Sequence, residues 1–359
     1  MTIFNFSAGP AVLPPEVKQQ IEAELYNWND TGCSVMEMSH RSAEFTAMAE
    51  ENEALLRKLL QVPEDYAVML IPGGARLQYS MIPMNMSSAE GKAVYAVNGH
   101  WGKEAFKEGS RFCRATSVRP VTPETYAEIP AFADVDVPTD ADYLHYTSNE
   151  TLEGVQWHQL PSHNGVRLCC DMTSDLLTKP IDVKQYSLIY ASAQKNMGIA
   201  GITCVLMRKR DIGCSENLLP TMMNYKTYAD TGSFYNTPPV FPWYVMLLVL
   251  RWTEAQGGVD AIQKMNQQKS RKLYDYIDSS DFFSNKVQLA CRSEINVPFW
   301  LADETLNSTF LQESSAVGLK ALKGHMAVGG MRASIYNAMP MAGIDSLIAF
   351  MQEFERTKG

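Results

Sequence analysis

Three apolar runs in quick succession, Val166–Asp171, Ser187–Ser192 and Ile202–Met207, constrain this chain more than any other feature. Each is short and bounded by turn residues, so each reads as a buried strand. Between the last two, Gln194 and Lys195 stand in a turn that Asn196 and Gly198 close. Similar strands alternate with helical segments through much of the chain, the pattern of a mostly parallel sheet wrapped by helices. Open sheets of that type bind their ligands at the ends of the parallel strands, which is where Asp171 and Lys195 fall.

A lysine in that position has chemistry available to it. Partial burial disfavours the ammonium, so its amine can lose the proton and condense with a carbonyl. The plainer alternative is a solvated surface charge. Asp171 also has two readings: it caps the next helix, or it keeps a pyridinium nitrogen protonated so that pyridoxal phosphate acts as an electron sink. Strand–Asp171 followed by strand–Ser192-x-Gln194-Lys195 is more specific than either residue alone, because it supplies both protein groups that pyridoxal chemistry requires.

The remaining segments suggest anion binding. Phe6-Ser-Ala-Gly-Pro10 reads as a turn, and Pro14-Pro15 begins a helix expected to run through Trp28. His40 and Arg41 precede a helix expected to end near Leu60, where they can share an anion with its N–H groups. Alternatively, Ser42 is simply its N-cap and His40 a surface residue. The strand Ala67–Ile71 runs into Pro72-Gly-Gly-Ala-Arg76 and then a helix through Met86. Strand, glycine pair and helix form a phosphate cradle, with Arg76 beside it. The motif is neither a GxGxxG nor a Walker loop, which disfavours dinucleotides and nucleoside triphosphates. The strand Ala93–Val97 leads to Trp101, which either packs or stacks on a planar cofactor. Residues 116–141 read as loop, and Tyr143–Thr147 resumes the sheet.

Past residue 208 the texture changes. The Asn236-Thr-Pro-Pro239 turn precedes a buried apolar helix around Trp243–Leu250, and a long polar helix follows to about Asp278. A smaller α+β unit has strands near Ile295–Trp300 and Met331–Ile335, a helix around Thr309–Val317, and a closing helix with one apolar face of Ile344, Leu347, Ile348, Met351 and Phe354. Arg332 leads a strand after a Gly-Gly turn, where its fork of donors can grip a carboxylate or pair with a neighbouring acid. The large domain is expected over 16–258, and the small one over 1–15 and 259–359.

A net charge of −9 with no basic run argues against a nucleic-acid surface. An anionic substrate therefore requires a local gathering of Arg and His. The longest apolar stretch is far short of the roughly 20 residues that cross a bilayer. Seven cysteines, none in a CxxC pair and most in apolar runs, suit a reducing, cytoplasmic setting. No secretion signal is read at the N-terminus, and no metal site is expected.

FNFSAGP at 4–10, SVMEMSHR at 34–41, GGARLQY at 73–79, SNET at 148–151, SAQKNMG at 192–198, FYNTPP at 234–239, MNQQK at 265–269 and GGMRASIYNAMP at 329–340 occur in this order. In this the chain resembles the phosphoserine aminotransferases, class V aminotransferases among the fold-type I pyridoxal-phosphate enzymes. The resemblance covers essentially the whole chain. It implies a large α/β domain with a mostly parallel, seven-stranded type of sheet, a smaller α+β domain and a homodimer. The implied reaction exchanges an amino group between L-glutamate and 3-phosphooxypyruvate, giving O-phospho-L-serine and 2-oxoglutarate in serine biosynthesis. Formation of 4-phosphooxy-L-threonine for vitamin B6 is implied as a second reaction.

By the same resemblance Lys195 carries pyridoxal 5'-phosphate and Asp171 holds its ring nitrogen. Trp101 stacks on the ring, Thr151 bonds the ring hydroxyl, and Thr173 lies beside the cofactor. The N–H groups of Ala75 and Arg76, with Gln194, hold the cofactor phosphate, joined by Asn236 and Thr237 of the second subunit. Arg332 binds the substrate α-carboxylate. His40, Arg41, Arg76 and His325 form the cup for the substrate's distal anion. One departure stands out: the family usually has His-Arg after Lys-Gly, whereas this chain has His325-Met326. Two rivals stand beside this reading: another fold-type I enzyme such as a lyase or a cysteine desulfurase, which needs a mobile loop cysteine that is not evident, and a protein that binds pyridoxal phosphate while the cup altered at Met326 impairs turnover.

Overall fold

The computed structural model describes residues 2–118, 137–215 and 218–359. A short strand β1 (Phe4–Asn5) and helices α1 (Pro15–Glu24) and α2 (Ala43–Leu60) open the chain. Strand and helix then alternate through β2 (Tyr66–Pro72), α3 (Ala75–Met86), β3 (Lys92–Ala96), α4 (His100–Gly109), β4 (Arg114–Val118) and β5 (Tyr143–Thr147). A small hairpin, β6 (Asn149–Glu150) and β7 (Val155–Gln156), precedes β8 (Arg167–Asp171), β9 (Leu188–Ser192) and β10 (Ile202–Arg208).

These build one seven-stranded sheet in the order β2-β10-β9-β8-β5-β3-β4. Strands β9, β8, β5, β3 and β4 run parallel, and β10 lies antiparallel to both of its neighbours. The sheet is therefore mostly parallel, as expected. The three apolar runs are adjacent in it, in the order β8-β9-β10. Every residue of β5 and β9 is buried, because helices cover both faces. Alternate residues serve opposite cores: Leu168 and Cys170 face one cluster, while Cys169 packs with Tyr79 and Tyr225 in the other.

Helix α5 (Tyr225–Asp230) precedes α6 (Val240–Ala255), whose residues Trp243–Leu250 are all buried. The long α7 (Gly258–Ser279) leads to the second unit. There β11 (Phe283–Ser284), β12 (Asn296–Leu301) and β14 (Met331–Ser334) form an antiparallel sheet. Helix α8 (Asn307–Ala316) lies between β12 and β13 (Leu319–Lys320), and β13 pairs with β1. This unit has its own core, joining Phe6 and Leu273 to Phe299 and Phe310. The closing helix α9 (Met341–Lys358) contributes the expected face, with Ile344, Leu347, Ile348, Met351 and Phe354 all in that core.

Three expectations need correction. The first helix stops at Glu24, and a 3-10 turn at Trp28–Asp30 follows, because Asn27 Oδ1 accepts from the Gly32 N–H at 2.7 Å and fixes a loop there. Residues 116–118 belong to β4 rather than to a loop; it is an edge strand, half exposed and polar, so no apolar run marks it. The remaining loop expectation for 119–136 lies outside the described residues. Trp101 sits in the first turn of α4, a helix whose glycine N-cap gives no side-chain signal.

Candidate active site

A cavity of about 280 Å³ opens where the parallel strands end, lined by α3's first residues and by Trp101, Asp171, Thr173, Gln194 and Lys195. The register Thr147↔Asp171↔Tyr190 places Asp171 at the last paired position of β8. The turn after β9 then swings Lys195 over it. Burial pushes the Lys195 amine down to about 8, against the opposing pull of Asp171. Burial raises the Asp171 carboxyl, and hydrogen bonds from Thr173 oppose the rise. One Asp171 oxygen does act as a turn cap, accepting from the Thr173 N–H at 2.9 Å. The other lies 3.5 Å from the Tyr79 hydroxyl. The N-terminal turn closes one side: Ala11 N–H donates to Gln194 O at 2.8 Å, and Gly9 leaves room for the Lys195 side chain, with its virtual Cβ 3.6 Å from Cε.

Opposite the lysine is the start of α3. Gly73 takes φ +113°, turning the chain so that the helix begins at Ala75, and Gly74, Ala75 and Arg76 at its start line the cavity. No side chain caps this end, so the Ala75 and Arg76 donors have no partner within the helix. The Gln194 Oε1 is held by Ser192 Oγ, which fixes the amide at the same edge.

Trp101 forms another wall. Its indole N–H donates to Thr151 Oγ1 at 2.8 Å, and the Arg76 guanidinium lies 5.5 Å from its ring centroid. Thr151 does not itself line the cavity; it stands behind Trp101 with a hydroxyl proton left to give. The Thr151 carbonyl in turn accepts from Arg332 Nη1 at 3.4 Å. Arg332 is 8 % exposed, and its Nε is buried with no partner among the described residues. A buried guanidinium with an unpartnered Nε has a donor left for a carboxylate.

Of the residues expected to form the distal anion cup, only some come together in this chain. His325 is exposed, with its ring 5.7 Å from that of His100, which in turn lies 4.9 Å from Trp101. Burial pushes the His100 imidazole down, Glu104 opposes this, and the neighbouring His325, Arg76 and Lys103 reinforce it. Arg76, His100 and His325 therefore share one rim. His40 and Arg41 do not line this cavity. Ser42 Oγ accepts from the Phe45 N–H at 3.1 Å, so the plain N-cap reading holds for that helix. Asn236 and Thr237 are exposed and also lie outside the cavity lining.

Sequence reasoning missed His100, Tyr79, Glu150 and Glu153. His100 was visible only as the residue before Trp101, and the two glutamates stand in a short turn that looks solvated.

The groups present suit a flat, phosphorylated ring. Open helix donors face one edge, an indole walls one side, a buried carboxylate lies at the strand end, and an amine of lowered pKa stands beside it. The class-V aminotransferase family model matches residues 3–347. The phosphoserine aminotransferase of Pseudomonas fluorescens (strain SBW25) is 47% identical over 356 residues, 99% of each chain. That of Laribacter hongkongensis (strain HLHK9) is 47% identical over 360 residues, the full length of both. Among solved structures, the phosphoserine aminotransferase of Bacillus circulans subsp. alkalophilus superposes with a TM-score of 0.97 at 42% identity, covering 99% of each chain. The pyridoxal-phosphate-bound enzyme from Trichomonas vaginalis gives 0.94 at 36% identity, covering 98% of this chain and 99% of that one. With sequence, fold and cavity in agreement over the whole length, the chain belongs to the phosphoserine aminotransferases of the class-V aminotransferase family.

Proposed function

We propose that this chain transfers the amino group of L-glutamate to 3-phosphooxypyruvate, forming O-phospho-L-serine and 2-oxoglutarate, with pyridoxal phosphate held in the cavity. The observation that carries the reading is the Lys195–Asp171 pair at two adjacent strand ends, both facing one cavity. Pyridoxal phosphate supplies the electron sink and carries the amino group between the two acids.

The chain's own residues do the rest. Lys195 would attach the cofactor, and its Nζ would be the base that takes the Cα proton of the amino donor and, in the second half-reaction, delivers a proton to Cα of the acceptor. An amine held near 8 keeps a working fraction neutral at physiological pH, which an ordinary lysine near 10.4 does not. Asp171 would pair with the ring nitrogen and keep it protonated. The open N–H groups of Ala75 and Arg76, with Gln194, receive the phosphate. Arg332 orients the α-carboxylate, and Arg76, His100 and His325 attract the distal anion.

His40, Arg41, Asn236 and Thr237 belong to this reading through a homodimer, because exposed polar groups on one chain can complete a site on another. Two separate apolar cores support a domain division near Gly257–Gly258, with the N-terminal segment joining the smaller unit through Phe6. Among the described residues no helix is long and apolar enough to cross a membrane. Cys113, Cys169, Cys170, Cys204 and Cys291 are buried as small core side chains, which suits a reducing, cytoplasmic setting.

Adding glutamate alone to the pyridoxal-phosphate-loaded protein should convert its spectrum to that of the pyridoxamine form. Full turnover with phosphoserine and 2-oxoglutarate should follow. An unchanged spectrum with glutamate would instead indicate a binding protein.

A further inference from the structure

The β6–β7 hairpin carries two carboxylates that the proposed chemistry does not use, Glu150 at the end of β6 and Glu153 in the turn. Glu150 is 0 % exposed and Glu153 5 %. Glu150 divides its carboxylate over the start of α4: Oε2 accepts from the Trp101 N–H at 2.9 Å, and Oε1 from the Gly102 N–H at 2.7 Å. Glu153 Oε1 accepts from the His100 N–H at 2.9 Å. The helix's own N-cap is Gly99, which offers no side chain. Three first-turn donors are thus satisfied by a turn some fifty residues away in sequence instead of by a local cap.

Gly99 is glycine for a steric reason. A Cβ there would stand 2.4 Å from the Glu150 Cδ and Cγ, too close for any real contact. The same turn also grips the Trp101 ring through Thr151 Oγ1 and reaches Arg332 through the Thr151 carbonyl. Both ends of Trp101, backbone and indole, are therefore fastened to residues 150–151.

We propose that Glu150 is a positioning residue for cofactor binding: by holding the Trp101 and Gly102 N–H groups it sets the indole as the wall against which the cofactor ring rests. This rests on the pyridoxal-phosphate reading above. Burying a carboxylate against a second one opposes ionisation of both. Burial raises the Glu150 carboxyl, with Glu153 adding to the rise, and burial raises Glu153 to about 7. A local Ser or Asn cap would hold a helix end without that penalty. What the carboxylate adds is two fixed acceptors on adjacent N–H groups.

Glu150→Gln keeps the shape but can accept only one of the two N–H groups, since its amide nitrogen is a donor. We expect pyridoxal phosphate to bind about tenfold more weakly, measured by equilibrium dialysis, the scale of one hydrogen bond to a charged group. Placed in a Trp101→Ala background, the same substitution should cost less than about twofold, because residues that act through one another are not additive. The near-ultraviolet circular dichroism assigned to Trp101, taken as wild type minus Trp101→Ala, should also change in Glu150→Gln without cofactor. Wild-type affinity in Glu150→Gln, or an equal loss in both backgrounds, overturns the proposal. If Glu150→Gln does not fold, Gly99→Ala, whose Cβ displaces Glu150, carries the same cycle with the same outcomes. Failure of the wild-type chain to bind pyridoxal phosphate would overturn the functional reading instead, so the two are separable.

Discussion

The floor of the cavity and its rim are built on different principles. At the floor, Asp171 and Lys195 follow adjacent parallel strands, so the ladder between β8 and β9 fixes their relative positions. Burial then tunes both groups, lowering the amine and raising the carboxyl. At the rim, Arg76 and His325 are exposed, and His40, Arg41, Asn236 and Thr237 lie elsewhere on the chain. The difference teaches that one folded chain suffices to fix the cofactor chemistry. On the proposed function, recognition of the distal anion and closure of the phosphate site fall to surface groups that a dimer brings together.

The largest expected effect tests the floor. Lys195→Ala should lower kcat by at least about a thousandfold, since it removes both the point of attachment and the base. Its effect on the cofactor-free protein has the opposite sign. The folded-state pKa of Lys195, about 8, lies below its ordinary value of 10.5, so the folded chain disfavours the ammonium. Between those values the unfolded chain binds more protons, and wild-type stability rises with pH there; below about 8 the penalty is constant. Lys195→Ala should therefore melt higher than wild type near pH 7, with the gap closing toward pH 10. A gap independent of pH would mean that the amine is not held near 8. The rate of cofactor capture by the wild-type protein should likewise level off above about pH 8 rather than climb toward 10.

The rim's dependence on a second chain makes the next prediction. Asn236→Asp sets a negative charge against the cofactor phosphate and should leave the homodimer nearly inactive. Mixed with Lys195→Ala chains it should recover about a quarter of wild-type turnover, because random pairing makes about half the dimers hybrids with one intact site each. No recovery after verified subunit exchange would place Asn236 in its own chain's site, and the floor–rim distinction would fail.

How far these regions could be read in advance follows the same division. Asp171 and Lys195 were legible because each ends a buried apolar run, and a buried strand has little freedom to hide its register. Arg332 was legible from the Gly-Gly turn before its strand. Strand β4 was not, since an edge strand half in water carries no apolar signature. Glu150 was hidden for a related reason. A glutamate in a turn ordinarily means solvent, and only the packing of β6 under α4 makes it an internal cap. Long-range capping leaves no local pattern, so Gly99, Trp101 and Glu150 look unrelated until the fold joins them.

Arg332 lies between floor and rim, and its substitution sharpens where one ends. Arg332→Ala removes a buried donor fork and should raise KM for glutamate about tenfold to a hundredfold, the range for a charge-assisted hydrogen bond. KM for phosphoserine should rise by a similar factor, because both substrates present an α-carboxylate. A rise confined to phosphoserine would move Arg332 to the distal cup.

The smallest effect is expected at Met326, which is 92 % exposed beside His325 and stands where the resemblance leads one to expect an arginine. Its thioether makes no contact that would hold it, so replacement costs the fold little. Met326→Arg adds a cation at the rim without disturbing the floor. KM for the phosphorylated substrate should fall, by up to about tenfold if the guanidinium forms one charge-assisted hydrogen bond in partial solvent. KM for glutamate should move less, because its distal group carries a single negative charge and a phosphate carries nearly two. The gain should shrink as salt is raised, since an exposed pair is screened over about 8 Å at physiological ionic strength. An equal fall for both substrates, or one insensitive to salt, would show that Met326 acts through the shape of the loop and not through missing charge.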